Sequence, residues 1–326
     1  MKAMLPEMYP VTSGERDRWI VNLRSERNQV DPSRPDGFFV EEEHSASGEI
    51  VSVATILLTN RECPWRCLMC DLWKNTSLET VPLGSIPNQI EFALSQLPTA
   101  REIKLYNSGS FFDRRAIPRE DHPRIAELMK GFERVVVECH PGLIGEDCFR
   151  FNDLMDGTLE VAMGLETANP QVLEKLNKRM TLEQFAEAAE RLRSHDIALR
   201  VFILIKPPFM GEDDALRWGC KSLDFAFDCG ATAATLIPTR AGNGAVDELA
   251  HLGDFSPPKL STLEFVLKYG LAQRRGRVFA DLWDSIQIAG CGECFHERIA
   301  RLRSMNLQQA IEEPIPCATC GGTLDR

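Results

Sequence analysis

The chain lacks the features that define several large protein classes. No apolar run approaches the roughly 20 residues needed to cross a bilayer, and the opening MKAMLPEMYPVTSGERDRW has no apolar core of signal-peptide length. No membrane association and a cytoplasmic location are therefore expected. Positive charge is scarce: 37 Lys and Arg against 48 Asp and Glu leave a formal charge of −11. Bulk electrostatics will not hold nucleic acid here, and only local basic patches remain for that task. There is no repeat of fixed period and no low-complexity segment. Crosslinks are not needed either, because 326 residues bury one large core, or a core with a small appendage, unaided. The eleven cysteines need another explanation, and in a reducing compartment clustered ones read as metal or redox ligands.

What is present is an alternation. After a polar opening that reads as a helix followed by a loop, short aliphatic runs alternate with longer amphipathic stretches. The expected strands are Ile50 to Leu58, Glu102 to Tyr106, Arg134 to Glu138, Leu159 to Met163, Ala198 to Ile205 and Thr232 to Ile237. Between them lie helix signals: Asn169-Pro170 as cap and first position, a capping box at Thr181 to Gln184, and Gly230 as a stop. Strands that alternate with helices pair in parallel. Six units rather than eight predict an α/β fold, a partial (β/α)6 TIM-like barrel with its site at the strand C-terminal ends. The expected division is an N-terminal extension over 1–49, a core over 50–245, and a small Cys-rich C-terminal module over 246–326.

Just past the first core strand, TNRECPWRCLMCDLW places Cys63, Cys67 and Cys70 within eight residues. Thiolates suit iron–sulfur clusters and zinc, and a purely structural site usually takes four. Three on a 4Fe-4S cube leave one iron open to a small molecule. The bland alternative is a helical face of buried cysteines, since spacings of four and three share one face. Pro64, Trp65 and Arg66 argue against an ordinary core helix.

This CxxxCxxC loop after the first strand of a six-unit α/β pattern resembles the radical S-adenosylmethionine (radical SAM) family. The resemblance implies a 4Fe-4S cluster on Cys63, Cys67 and Cys70, with SAM bound through its amino and carboxylate groups at the open iron. It also implies reductive cleavage of SAM to methionine and a 5'-deoxyadenosyl radical, and an external electron donor such as ferredoxin or flavodoxin. Asn107, Ser108, Gly109 and Ser110 fall where the family has a glycine-rich turn that receives the SAM amino group, and here the acidic residue often found in that turn is missing. Glu166, in MGLETANP, resembles the glutamate of elongator-type enzymes that serves the SAM ribose or amino acid portion; the alternative is an acid at a helix N-terminus. Arg200 lies in an apolar run and needs a buried carboxylate, either that of SAM or a protein acid; Lys206 at the strand end is a contact or a solvated terminus. LTNRECPWRCLMCDLWKNT, LIKPPF and IPTRAGNG are similar to the archaeosine synthase branch, which implies a modified tRNA base as substrate and a partner subunit. Met69 stands where many members have an aromatic residue. No residue is singled out as catalytic.

Cys291, Cys294, Cys317 and Cys320 form two CxxC pairs with the spacing of a tetrathiolate zinc (Zn2+) site, an auxiliary iron–sulfur cluster being the rival; His296 reads as a bystander. Cys139, Cys148, Cys220 and Cys229 read as core residues. Arg274, Arg275, Arg277, Arg301 and Arg303 are either an RNA-backbone grip or a solvated helix face. The leading expectation is a radical SAM enzyme for tRNA base modification. The alternatives are a radical SAM enzyme on a small metabolite or peptide, and a non-enzymatic iron–sulfur or zinc scaffold.

Overall fold

Each apolar run bounded by turn residues forms a strand in the computed structural model, which describes residues 8–320. The strands are β1 (Gly37–His44), β2 (Ile50–Leu57), β3 (Glu102–Tyr106), β4 (Arg134–Glu138), β5 (Thr158–Glu166), β6 (Ala198–Ile205), β7 (Ala233–Pro238) and β8 (Arg277–Ala280). They lie in sequential order in one sheet that curls into a half-barrel. β1 runs antiparallel to β2, from Gly37 opposite Leu57 to His44 opposite Ile50. Every later pair is parallel.

The helices among the described residues are α1 (Ser13–Leu23), α2 (Ser85–Gln96), α3 (His122–Leu128), α4 (Glu146–Asn152), α5 (Pro170–Lys175), α6 (Leu182–Arg193), α7 (Glu212–Asp228), α8 (Ala245–His251), α9 (Leu260–Gln273) and α10 (Phe295–Gln308). None is long and apolar enough to cross a membrane. The start signals act as expected. Asn169 accepts from the Gln171 and Val172 amides, and Thr181 and Gln184 close a full capping box. Gly230 follows α7 at φ +88°, a conformation that favours glycine.

The six expected strands are β2 to β7. β1 and β8 extend the sheet on either side, into the stretches read as an N-terminal extension and a C-terminal module, whose outermost residues 1–7 and 321–326 lie outside the described residues. In β1 the run Glu41-Glu42-Glu43 masks a period-two pattern. Glu41 and Glu43 face one way and meet Lys104 of β3. β8 has only four residues and falls below what periodicity detects.

The two faces of the sheet differ in chemistry. Ile103, Leu105, Val135, Val137, Val161 and Met163 point outward into the helix-covered core. At about 1.5–3 kcal/mol for each fully buried aliphatic side chain, this layer is the main source of stability. The alternate residues point inward and build a charged wall. Arg200 donates from Nε to Glu160 at 2.6 Å and from Nη2 to Glu43 at 2.5 Å. Arg277 and Arg134 reach the second Glu160 oxygen at 2.8 and 2.9 Å. Burial opposes the charge of Glu160, yet Arg200, Arg277 and Arg134 hold its pKa down to about 2. Arg277 therefore belongs to the wall, and Arg301 is buried against Glu264 at 3.0 Å, so neither is on an RNA-facing patch. Arg275 pairs with Asp228, which leaves Arg274 and Arg303 of the five as exposed residues with no such partner described.

Candidate active site

The three cysteines lie on irregular backbone beyond the C-terminal end of β2, not on an α-helix. Such a loop needs its polar groups satisfied from outside. Arg66 donates to the Cys63 carbonyl at 2.7 Å and Asn177 to the Arg66 carbonyl at 2.8 Å. Asn243, buried just before α8, donates to the carbonyls of Leu68 at 2.7 Å and Cys70 at 3.2 Å. The Leu68 amide donates to Leu176 at 2.9 Å. Glu62, next to Cys63, is gripped by Arg24 at 2.7 Å, Arg66 at 3.0 Å and Arg27. Burial pushes the three thiols up to about 12, so a metal that takes them must displace their protons.

Asn243 and Asn177 were not anticipated. For Asn243 a signal exists in the AGNG segment. Gly244 has φ +85°, and a Cβ there would collide with the Leu23 carbonyl, so the glycine lets α1 and α8 pack closely enough for Asn243 to reach the loop.

The turn after β3 lies against the cysteine loop: a Cβ on Gly109 would sit 3.5 Å from the Cys63 Cβ. The positive φ falls on Ser108, at +53°, rather than on Gly109. The Ser110 hydroxyl accepts from the His140 amide at 2.9 Å, and the His140 ring stacks on Trp65 with centroids 3.8 Å apart. Asn107 is fully buried, and neither end of its amide has a partner. An acid of the neighbouring strand lies against this turn. Glu138 ends β4 beside the Asn107 and Gly109 amides, and burial outweighs their pull to raise its pKa to about 7.

At the end of β5 a bulge shifts the register between Gly164 and Glu166, and Glu166 takes φ +66°. Its carboxylate accepts from Lys178 Nζ at 2.5 Å. Burial works against the ammonium, but Glu166 and Cys67 beside it keep the Lys178 pKa above the usual lysine value. Arg200 is not part of this group, since both its carboxylates are protein acids, Glu43 and Glu160. Lys206 is held by Glu212 and Ser256, each at 2.8 Å. The turn 107–110, Glu138, Glu166 and Lys178 thus gather around the cysteine loop.

These residues fit a cluster with a polar small molecule at its open corner. A buried amide with both ends unpaired costs free energy unless a ligand supplies partners. Asn107 is such a group beside Cys63, and Asn60 and Asn177 in the same shell each carry a buried carbonyl oxygen with no partner. Among the described residues, the C-terminal cysteines Cys291, Cys294, Cys317 and Cys320 form a second, separate metal-type group, with ligand atoms within 4.8 Å of one another.

Fold and site together define an enzyme that works through an iron–sulfur cluster. Residues 57–217 match the radical SAM superfamily, and the chain belongs to it. Among curated relatives, it is 26% identical over 260 residues to the uncharacterized protein MJ0550 of Methanocaldococcus jannaschii, covering 74% of this chain and 71% of that one. It is 25% identical over 238 residues to archaeosine synthase subunit beta of Methanosarcina acetivorans, covering 69% of each. Among solved structures, methylornithine synthase superposes with a TM-score of 0.54 at 12% identity, over 93% of this chain and 78% of that one. Methanocaldococcus infernus Elp3 with an N-terminal deletion gives 0.50 at 15% identity, over 67% of this chain and 59% of that one. At these identities the two structures establish a shared fold.

Proposed function

We propose that this radical SAM enzyme modifies a base in tRNA, by a reaction of the archaeosine type. The observation that carries the reading is the match to archaeosine synthase subunit beta over 69% of both chains, joined to a complete cysteine loop and the polar groups around it. When bound, the cluster supplies the electron that opens the SAM sulfonium and so provides hydrogen-abstracting power.

The chain's own residues have assigned tasks. Cys63, Cys67 and Cys70 would hold the cluster through three thiolates, which would leave a position open for SAM. Asn107 to Ser110 and Glu138 line the side that takes the SAM amino group, and Glu166 serves the ribose or amino acid portion. A carboxylate offers about four acceptor positions, so the Lys178 bond leaves capacity for SAM. Arg200 holds the charged wall instead, and Lys206 is engaged by Glu212 and Ser256. The relatives' designation as a subunit supports a partner subunit, and the reducing chemistry supports a cytoplasmic location and an electron donor of the ferredoxin or flavodoxin kind.

Nucleoside mass spectrometry of tRNA from cells with and without the gene tests the substrate. Loss of one modified nucleoside and accumulation of its precursor is expected. An unchanged profile would favour a small metabolite or peptide, a reading that the charge of −11 and the enclosed arginines support. Oxygen-free reconstituted protein with dithionite and SAM is expected to release 5'-deoxyadenosine, and Cys67→Ala to release none.

A further inference from the structure

The remaining cysteine group lies on a different element and does not depend on the SAM chemistry. Cys291 and Cys294 precede α10, and Cys317 and Cys320 follow it. Their sulfurs converge: Cys291 to Cys317 is 3.9 Å, Cys294 to Cys320 is 3.6 Å, and all four lie within 4.8 Å of one another. A tetrahedral zinc with bonds of about 2.3 Å sets neighbouring thiolates about 3.8 Å apart. A 4Fe-4S cube bonds each thiolate to a different iron and spreads them to roughly 6 Å, and a two-iron centre keeps cross-iron pairs beyond about 5 Å. The observed spacing has room for one ion, and four thiolates would close its coordination shell. His296 is not in the group.

The position of this group gives it a task. Cys294 is the N-cap of α10. At the other end of the helix, two side-chain amides cover the edge of β8. Asn306 accepts from the Ala280 amide and donates to its carbonyl, both at 2.8 Å. Gln309 does the same at Val278, at 2.7 and 2.9 Å. His44 of β1 bonds the Leu307 carbonyl at 2.9 Å, so α10 spans from one sheet edge to the other. Beyond Gln309 the chain runs without regular structure to Cys317 and has no core of its own. An exposed strand edge is a site for unwanted pairing, and a helix that covers it must stay in place.

We infer that Cys291, Cys294, Cys317 and Cys320 hold a single zinc ion that clasps α10 across the open edge of the half-barrel. The ion binds the start of α10 to the returning tail, and α10 in turn fills the hydrogen-bonding positions of a ninth strand. The role is structural, because the closed tetrathiolate shell leaves no position for substrate.

Metal analysis of full-length protein purified without oxygen tests the ion. About one zinc and about four irons per chain are expected. The triple variant Cys63→Ala, Cys67→Ala, Cys70→Ala should lose the iron and keep the zinc, and Cys291→Ser with Cys317→Ser should do the reverse. Hydrogen exchange tests the clasp: in the zinc-free variant, amides of β8 and α10 should exchange about tenfold faster or more, with β3 to β5 unchanged. If that variant does not fold, wild-type protein produced with cobalt should show the visible bands of a tetrahedral tetrathiolate centre. About eight irons with no zinc, absence of those bands, or unaltered exchange in β8 and α10 on zinc loss would each overturn the inference.

Discussion

Glu166 and Lys178 meet at 2.5 Å in the space that a side chain on residue 164 would need. Gly164 is therefore required for the ion pair and not for a turn. The atoms in the way are the far ends of two flexible side chains, so Gly164→Ala should fold and displace the pair. The expected loss is about tenfold in SAM affinity, or about 1.4 kcal/mol, read by equilibrium dialysis and by the SAM-induced change in the spectrum of the reduced cluster. Unchanged affinity would remove Glu166 from the SAM site.

Asn243 tests how the cysteine loop is held. Asn243→Ala leaves the carbonyls of Leu68 and Cys70 without their side-chain donor, at a cost of about 1–3 kcal/mol for buried groups left unpaired. Iron content after reconstitution should fall while far-ultraviolet circular dichroism stays that of the wild type. Full iron loading would show that the loop is shaped by the thiolates alone.

The pH dependence of Glu138 has a definite sign. Its folded pKa is raised to about 7 by burial, against an ordinary value of 4.5. Between those values the folded chain keeps a proton that the unfolded chain has released, so stability falls as pH rises, and the penalty is complete above 7. Glu138→Gln without SAM should melt higher than wild type at pH 8, and the gap should close toward pH 4.5. A gap that does not vary with pH would place Glu138 in a solvated setting.

Arg200 distinguishes wall from site. Removal of one member of a buried ion network leaves charge under-compensated and costs up to about 3–5 kcal/mol, here on Glu43, which among the described residues keeps only Lys104, and on Glu160, which keeps Arg134 and Arg277. Arg200→Leu should lower the thermal midpoint strongly and leave SAM affinity per folded molecule unchanged. A selective loss of SAM binding at wild-type stability would return Arg200 to the cofactor.

The cysteine loop, strands β2 to β7 and the caps at Asn169 and Thr181 were legible in the chain because each is written within a few residues. Side-chain period, cap chemistry and ligand spacing act locally. The same locality explains the misses: β1 hides its alternation under three glutamates, and β8 is too short to show one.

The sequence by itself determined the kind of chemistry, through three thiols placed after a strand, and it supplied the buried charges and amides that the fold must pair. Only the tertiary structure decided the pairing. It set Arg200 against Glu43, 157 residues away, and Asn243 against Leu68, 175 residues away. It also brought Glu138 to the turn whose own acid is missing and drew four distant sulfurs to the spacing of one ion. The reason is physical: a buried charge or amide takes the partner that neighbouring strands and helices carry to it, and that neighbourhood is a property of sheet order and register, not of any short stretch of chain.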